Sequence, residues 1–101
     1  MVRKIVWSKK ANSDRKSIYK YWNKRNRSTV YSKKLNKLFI SAAEFVAINP
    51  HTGRTTSKEN IHIKFVSHYA IIYEAIDSEL RVHAVFDTRQ NPQKMDTIIN
   101  E

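Results

Sequence analysis

Five basic or imidazole side chains in the C-terminal part of the chain have the types and spacing to do chemistry: His62, Lys64, Arg81, His83 and Arg89. His62 and Lys64 are two residues apart, and so are Arg81 and His83. In an extended strand that spacing puts both members of a pair on one face. A basic sheet face can hold a phosphate backbone. Cleaving RNA there needs a base for the 2′-hydroxyl, a cation beside the developing phosphorane charge and an acid for the leaving oxygen. The Arg89 fork matches a phosphate. His83 suits proton transfer, and Lys64 suits charge stabilisation. The set available for such chemistry is His62, Lys64, His83 and Arg89, of which Arg89, Lys64 and His83 are put forward for catalysis and His62, Arg81 and Lys64 for RNA binding. On residue pattern alone, the same side chains also fit a plainly solvated strand face.

Other chemistries find little support. There is no Gly-rich phosphate loop, no HExxH and no GxSxG. The four His lack ligand spacing and Cys is absent, so neither a metal site nor any other cofactor is expected. The carboxylates are few and sit near turns, which argues against a paired-carboxylate hydrolase.

Positioning those side chains is the task of a short series of elements. Ile5-Val6-Trp7 reads as the core of a strand over 2–7. Ser8 then stands where a helix N-cap would stand. Ala11, Ile18, Tyr21, Trp22 and Arg25 fall near one face of a helix over about 9–25, with Lys16, Lys20 and Lys24 opposite. After the break Asn26-Arg27-Ser28, Tyr31, Leu35, Leu38, Phe39, Ala42, Phe45 and Val46 recur at threes and fours, a second helix that Asn49-Pro50 ends. Leu35, Leu38, Phe39, Ala42 and Val46 are expected to bury themselves against a sheet. The short link predicts an antiparallel helical hairpin over about 9–49.

Beyond a polar loop the period changes to two. Ile61, Ile63 and Phe65 alternate with His62 and Lys64, and two further alternating runs follow Ser67-His68 and Asp77-Ser78-Glu79. These are three strands of a meander over about 60–88, with a short helical turn in the tail. The expected fold is α+β in the order β-α-α-β-β-β. It has a mostly antiparallel sheet, two antiparallel helices on one face, and the five basic or imidazole residues on the open face.

Charge and length bound the rest. The chain has 101 residues, 41% of them apolar, enough for one domain over 1–101. The net charge is +10, and it is lopsided: residues 1–50 carry 13 Lys/Arg against 2 Asp/Glu. Such asymmetry suits a polyanion or an acidic protein partner. No apolar stretch approaches the ~20 residues of a membrane span, and the N-terminus lacks the apolar core of a signal peptide. A cytoplasmic protein with no membrane partner is expected.

The run Ile5-Val6-Trp7-Ser8-x-x-Ala11-x-x-Asp14-x-x-x-Ile18-x-x-Tyr21 resembles the opening of RelE/ParE-type toxins of type II toxin–antitoxin systems. Asn49-Pro50-x-x-Gly53 resembles their helix-to-sheet link. His62-Ile63-Lys64-Phe65, Tyr69-Ala70-Ile71-Ile72-Tyr73 and Ile76-Asp77 resemble their central hairpin, and Val85-Phe86-Asp87-Thr88-Arg89-Gln90-Asn91-Pro92 the end of their last strand. The resemblance implies a RelE/ParE-like fold and a cognate antitoxin whose tail wraps the toxin. RelE-like members cut messenger RNA in the ribosomal A site, whereas ParE-like members poison DNA gyrase. Matched by motif, the basic pair of the second strand lands on His62 and Lys64, and the Arg ending the fourth strand lands on Arg89. The third-strand Arg lands on Ala70, and the C-terminal Tyr of some RelE-like members lands near Met95. The expectation is a growth-inhibiting, plasmid-stabilising toxin that acts as a ribosome-dependent mRNA endoribonuclease with ribosome and mRNA as partners. The alternatives are a ParE-like inhibitor of DNA gyrase, or a catalytically weak or inactive RNA- or protein-binding relative.

Overall fold

A computed structural model describes residues 3–100. Strand β1 (Lys4–Trp7) leads into helices α1 (Lys9–Asn26) and α2 (Val30–Ile48). A 3₁₀ turn at Pro50–Thr52 passes to the short strand β2 (Arg54–Thr55). Strands β3 (Ile61–Val66), β4 (Tyr69–Ile76) and β5 (Glu79–Asp87) follow, then helix α3 (Pro92–Asn100). The first residue of the expected opening strand, Val2, lies outside the described residues.

The five strands form one sheet in the order β1-β5-β4-β3-β2. Only β1–β5 is parallel; the other pairings are antiparallel. Two-residue links join the meander. With one Gly in the chain, Ser67 (φ 55°) and Asp77 (φ 53°) supply the left-handed backbone that such tight hairpins require.

Local chemistry explains where α1 begins and how it docks. Ser8 Oγ accepts from the Ala11 N–H at 3.0 Å, capping the helix, and donates to the His83 carbonyl at 2.8 Å. Ala11 is fully buried, and one turn later Asp14 accepts from the Val85 N–H at 3.0 Å. The Ser8, Ala11 and Asp14 spacing thus ties the first two turns of α1 to β5. Arg15 bridges to α2 through Asn36 Oδ1 at 3.0 Å and lies 4.2 Å from the Trp7 ring.

The core lies between the helical hairpin and the sheet. Leu35, Phe39, Ala42 and Val46 meet Tyr69, Ile71, Tyr73, Leu80 and Val82 there. Trp7 and Trp22 pack against its margin, half-buried. Leu38 is a correction to the expected core: it is 44% exposed, as is Phe45 at 48%. Residues at threes and fours cover an arc wider than one flat sheet can occupy, so the edge of the apolar stripe on α2 faces solvent. Tyr21 on α1 is exposed for the same reason, and Arg25 is exposed in the helix's last turn.

The second sheet face also departs from expectation, because it is not open. Ala70, Ile72, Ala84 and Phe86 form a second apolar cluster there, covered by Ile98 and Ile99 of α3. The tail therefore forms a nine-residue helix with an apolar side rather than a short turn.

Candidate functional site

The pairing register decides which face each basic residue takes. Ile63 pairs with Ile72 and Lys64 with Ile71, so Ile61 and Ile63 face α3, while His62 and Lys64 face the helical hairpin. The expected common face for His62, Lys64, Arg81 and His83 is overturned here. β4 is apolar on both sides, so alternation along β3 could not reveal which side its polar residues would share.

A β-bulge adds a second inversion. Ile72 pairs with Ala84, but Tyr73 pairs with Val82, leaving His83 as the extra residue. Leu80 and Val82 join the hairpin-side core before the bulge and Val85 joins it after, while Ala84 and Phe86 turn to α3. His83 is re-aimed toward Glu74, its Nε2 lying 2.9 Å from Glu74 Oε1. The pair sits in a cleft of about 630 Å³ that also includes Lys10, Lys58 and Ile98. Arg81 stands nearby on solvent, its Nε donating to Glu79 Oε1 at 3.0 Å. Glu74, the only carboxylate in β4, is the partner that pattern reading missed; its signal was a lone charge inside an apolar run.

His62 and Lys64 form a different group. The His62 ring stacks on Tyr73 with centroids 5.8 Å apart, and His51 meets it edge-on at 6.3 Å. Lys64 Nζ lies 5.1 Å from the Phe45 ring of α2. Tyr73 is wholly buried, and its hydroxyl donates to the Pro50 carbonyl at 2.7 Å. Burial pushes its phenol above the ordinary value.

Arg89 belongs to a third corner, where the end of β5 meets α1. Its backbone N–H and Nε both donate to Asp87 Oδ1, at 2.9 and 3.0 Å, and a terminal nitrogen donates to Oδ2 at 2.9 Å. This bidentate hold keeps the Asp87 carboxyl below its ordinary value and raises the guanidinium above its own. The guanidinium also lies 5.7 Å from the Trp22 ring, which Tyr69 anchors by accepting from Trp22 Nε1–H at 2.8 Å. Lys64 and Arg89 lie across the width of β4 from each other, ~10 Å apart at the strand spacing alone.

The structure therefore brings together His62 with Lys64, and Arg81 with His83, but does not assemble Arg89, Lys64 and His83 around one point. Ala70 is fully buried in the second apolar cluster and pairs with Phe86, so no ligand reaches that position. Among the described residues no three His, Asp or Glu gather as a metal site would require, and no helix is long and apolar enough to cross a membrane.

Comparison with known proteins bears on these features. No curated protein sequence matches the chain. Among solved structures, the chromosomal ParDE toxin–antitoxin system from P. aeruginosa contains a chain with the same fold. Its TM-score is 0.73 at 11% identity, covering 85% of this chain and 96% of that one. A family model for the ParE toxin of the parDE type II toxin–antitoxin system matches residues 5–92. That match spans β1, both hairpin helices and the whole meander, and this chain belongs to the ParE toxin family of type II toxin–antitoxin systems.

Proposed function

We propose that this toxin arrests growth by inhibiting DNA gyrase in the cytoplasm and that a cognate antitoxin restrains it. The observation that carries this reading is the dispersal of the chemical groups. A phosphodiesterase needs its base, cation and acid within hydrogen-bond reach of one reacting phosphate. Here His83 is committed to Glu74 on one sheet face, Lys64 lies on the other, and Asp87 neutralises Arg89. An inhibitor that works by binding has no such requirement. Family membership supports the same reading.

The antitoxin contact is best met on the hairpin side. Exposed Leu38, Phe45 and Ile48 are flanked by Lys34, Lys37 and Lys64. That combination fits an amphipathic segment with acidic residues beside its apolar ones.

One observation favours a second reading. His62 and Lys64 stand side by side next to the exposed rings of His51 and Phe45, an arrangement that can hold a single-stranded RNA. Ribosome-dependent cleavage would then recruit Arg89 and His83 only after Arg89 is released from Asp87.

A paired assay tests both readings. Purified toxin is added to gyrase with relaxed plasmid, and separately to ribosomes programmed with messenger RNA. Loss of supercoiling with intact messenger RNA is the expected result. Messenger cleavage with unimpaired supercoiling overturns the gyrase reading in favour of the second. Activity in neither assay leaves a binding relative.

A further inference from the structure

The two helices of the hairpin turn chemically different faces to solvent. On α1, Lys9, Ser13, Lys16, Lys20 and Lys24 follow one another at steps of four, three, four and four, and all are exposed. At ~100° per residue they occupy an arc of about 80°, in a row ~22 Å long. No carboxylate lies within salt-bridge reach of any of these four lysines among the described residues; the one ion pair on α1 is Lys10–Asp14, outside the row. No apolar side chain interrupts it. Tyr21, the exposed aromatic of α1, is displaced by roughly a quarter-turn.

Four kinds of partner attract a cationic helix face, and each demands something different. A protein interface needs buried aromatic or aliphatic anchors at its centre. A membrane-surface helix needs an apolar face to insert. A single-stranded nucleic acid needs aromatics on which to stack its bases. The row on α1 supplies none of these. Duplex nucleic acid needs only a row of cations along a phosphate backbone, because that contact alone provides its sequence-independent affinity. On α2, by contrast, lysines mix with Leu38, Phe45 and Ile48, the composition of a protein-binding surface.

We infer that the outer face of α1 is a sequence-independent binding surface for the phosphate backbone of duplex DNA, used by the toxin itself in the absence of any partner protein. The lysines contact successive phosphates, and α2 remains free for protein contacts. This goes beyond the gyrase reading and does not depend on it.

Fluorescence anisotropy of the full chain with a labelled mixed-sequence DNA duplex, without gyrase, tests the inference. Four phosphate contacts predict a slope of about −3.6 in log affinity against log salt, roughly a 10²-fold loss between ~50 and ~200 mM salt. Lys16→Glu/Lys20→Glu/Lys24→Glu should weaken binding more than tenfold and flatten that slope. Lys33→Glu/Lys34→Glu/Lys37→Glu on α2 changes net charge by the same amount and should weaken it far less. Equal losses in the two variants overturn the inference, since net charge alone would then explain binding. Equal competition, per phosphate, by single-stranded RNA or by phosphatidylglycerol vesicles overturns it too. Should the Glu variants fail to fold, the same comparison with Lys→Gln substitutions decides. Failure here leaves the supercoiling result untouched, so the two readings stand or fall separately.

Discussion

Replacing Gly53 by Ala should destabilise this protein severely, for a reason that lies in one buried tyrosine. Gly53 has φ −73°, which any residue adopts, so backbone strain plays no part. The obstacle is space. A Cβ at Gly53 would lie 2.9 Å from the Tyr73 ring carbon that bears the hydroxyl and 3.0 Å from the Ile63 carbonyl oxygen, and closer still to the hydroxyl oxygen itself. Tyr73 has no exposed surface and cannot swing aside, and its hydroxyl is committed to the Pro50 carbonyl. Overpacking of this kind costs roughly 1–3 kcal/mol. Displacing the hydroxyl from its buried acceptor adds about 1–3 kcal/mol. The sum, ~2–6 kcal/mol, corresponds to a fall in melting temperature of roughly 10–30 °C for a domain of this size. Chemical and thermal unfolding of four proteins measure it: wild type, Gly53→Ala, Tyr73→Phe and the double variant. Tyr73→Phe alone should cost about 1–2 kcal/mol through its lost hydrogen bond. Because it deletes the atom nearest the new methyl, Gly53→Ala should cost at least ~1 kcal/mol less in that background. A Gly53→Ala cost below about 0.5 kcal/mol, or an equal cost in both backgrounds, would refute the steric argument.

Three further outcomes are expected. Leu35→Ala should lose about 2–5 kcal/mol in urea unfolding, whereas Leu38→Ala, on the exposed edge of the stripe, should stay within about 1 kcal/mol of wild type and instead weaken antitoxin binding. Ser67→Gly should raise stability by roughly 0.5–1 kcal/mol by relieving a left-handed backbone, and an unchanged melting temperature would argue against that strain. Asp87 is held below its ordinary value by Arg89, so the stability it contributes is present above the unfolded carboxylate value and disappears as pH falls through the folded one. Melting temperatures of wild type and Arg89→Ala should therefore differ at neutral pH and converge in acid; a gap that persists in acid would show that Arg89 acts through packing on Trp22 instead.

The amino-acid sequence by itself determined the order of β1, the helical hairpin and the three-stranded meander, because their signals are local, whereas the two-residue β2 lay within the segment read as a loop. The threes-and-fours spacing from Tyr31 to Val46, the period-two runs of β3 to β5, the Ser8 cap and the Pro50 stop each depend on neighbours a few residues away. Only the tertiary structure decided which way those elements face. β4 is apolar at nearly every position, so it accepts β3 with either side inward, and register alone sent His62 and Lys64 to the helices. One extra residue at the bulge turned His83 to Glu74, and the apolar side of α3 closed the face that alternation had left open. The candidate site was legible as a set of residue types and illegible as a place. Which side chains converge depends on pairing between segments distant in the chain, and a shift of one residue there exchanges the two faces of a sheet.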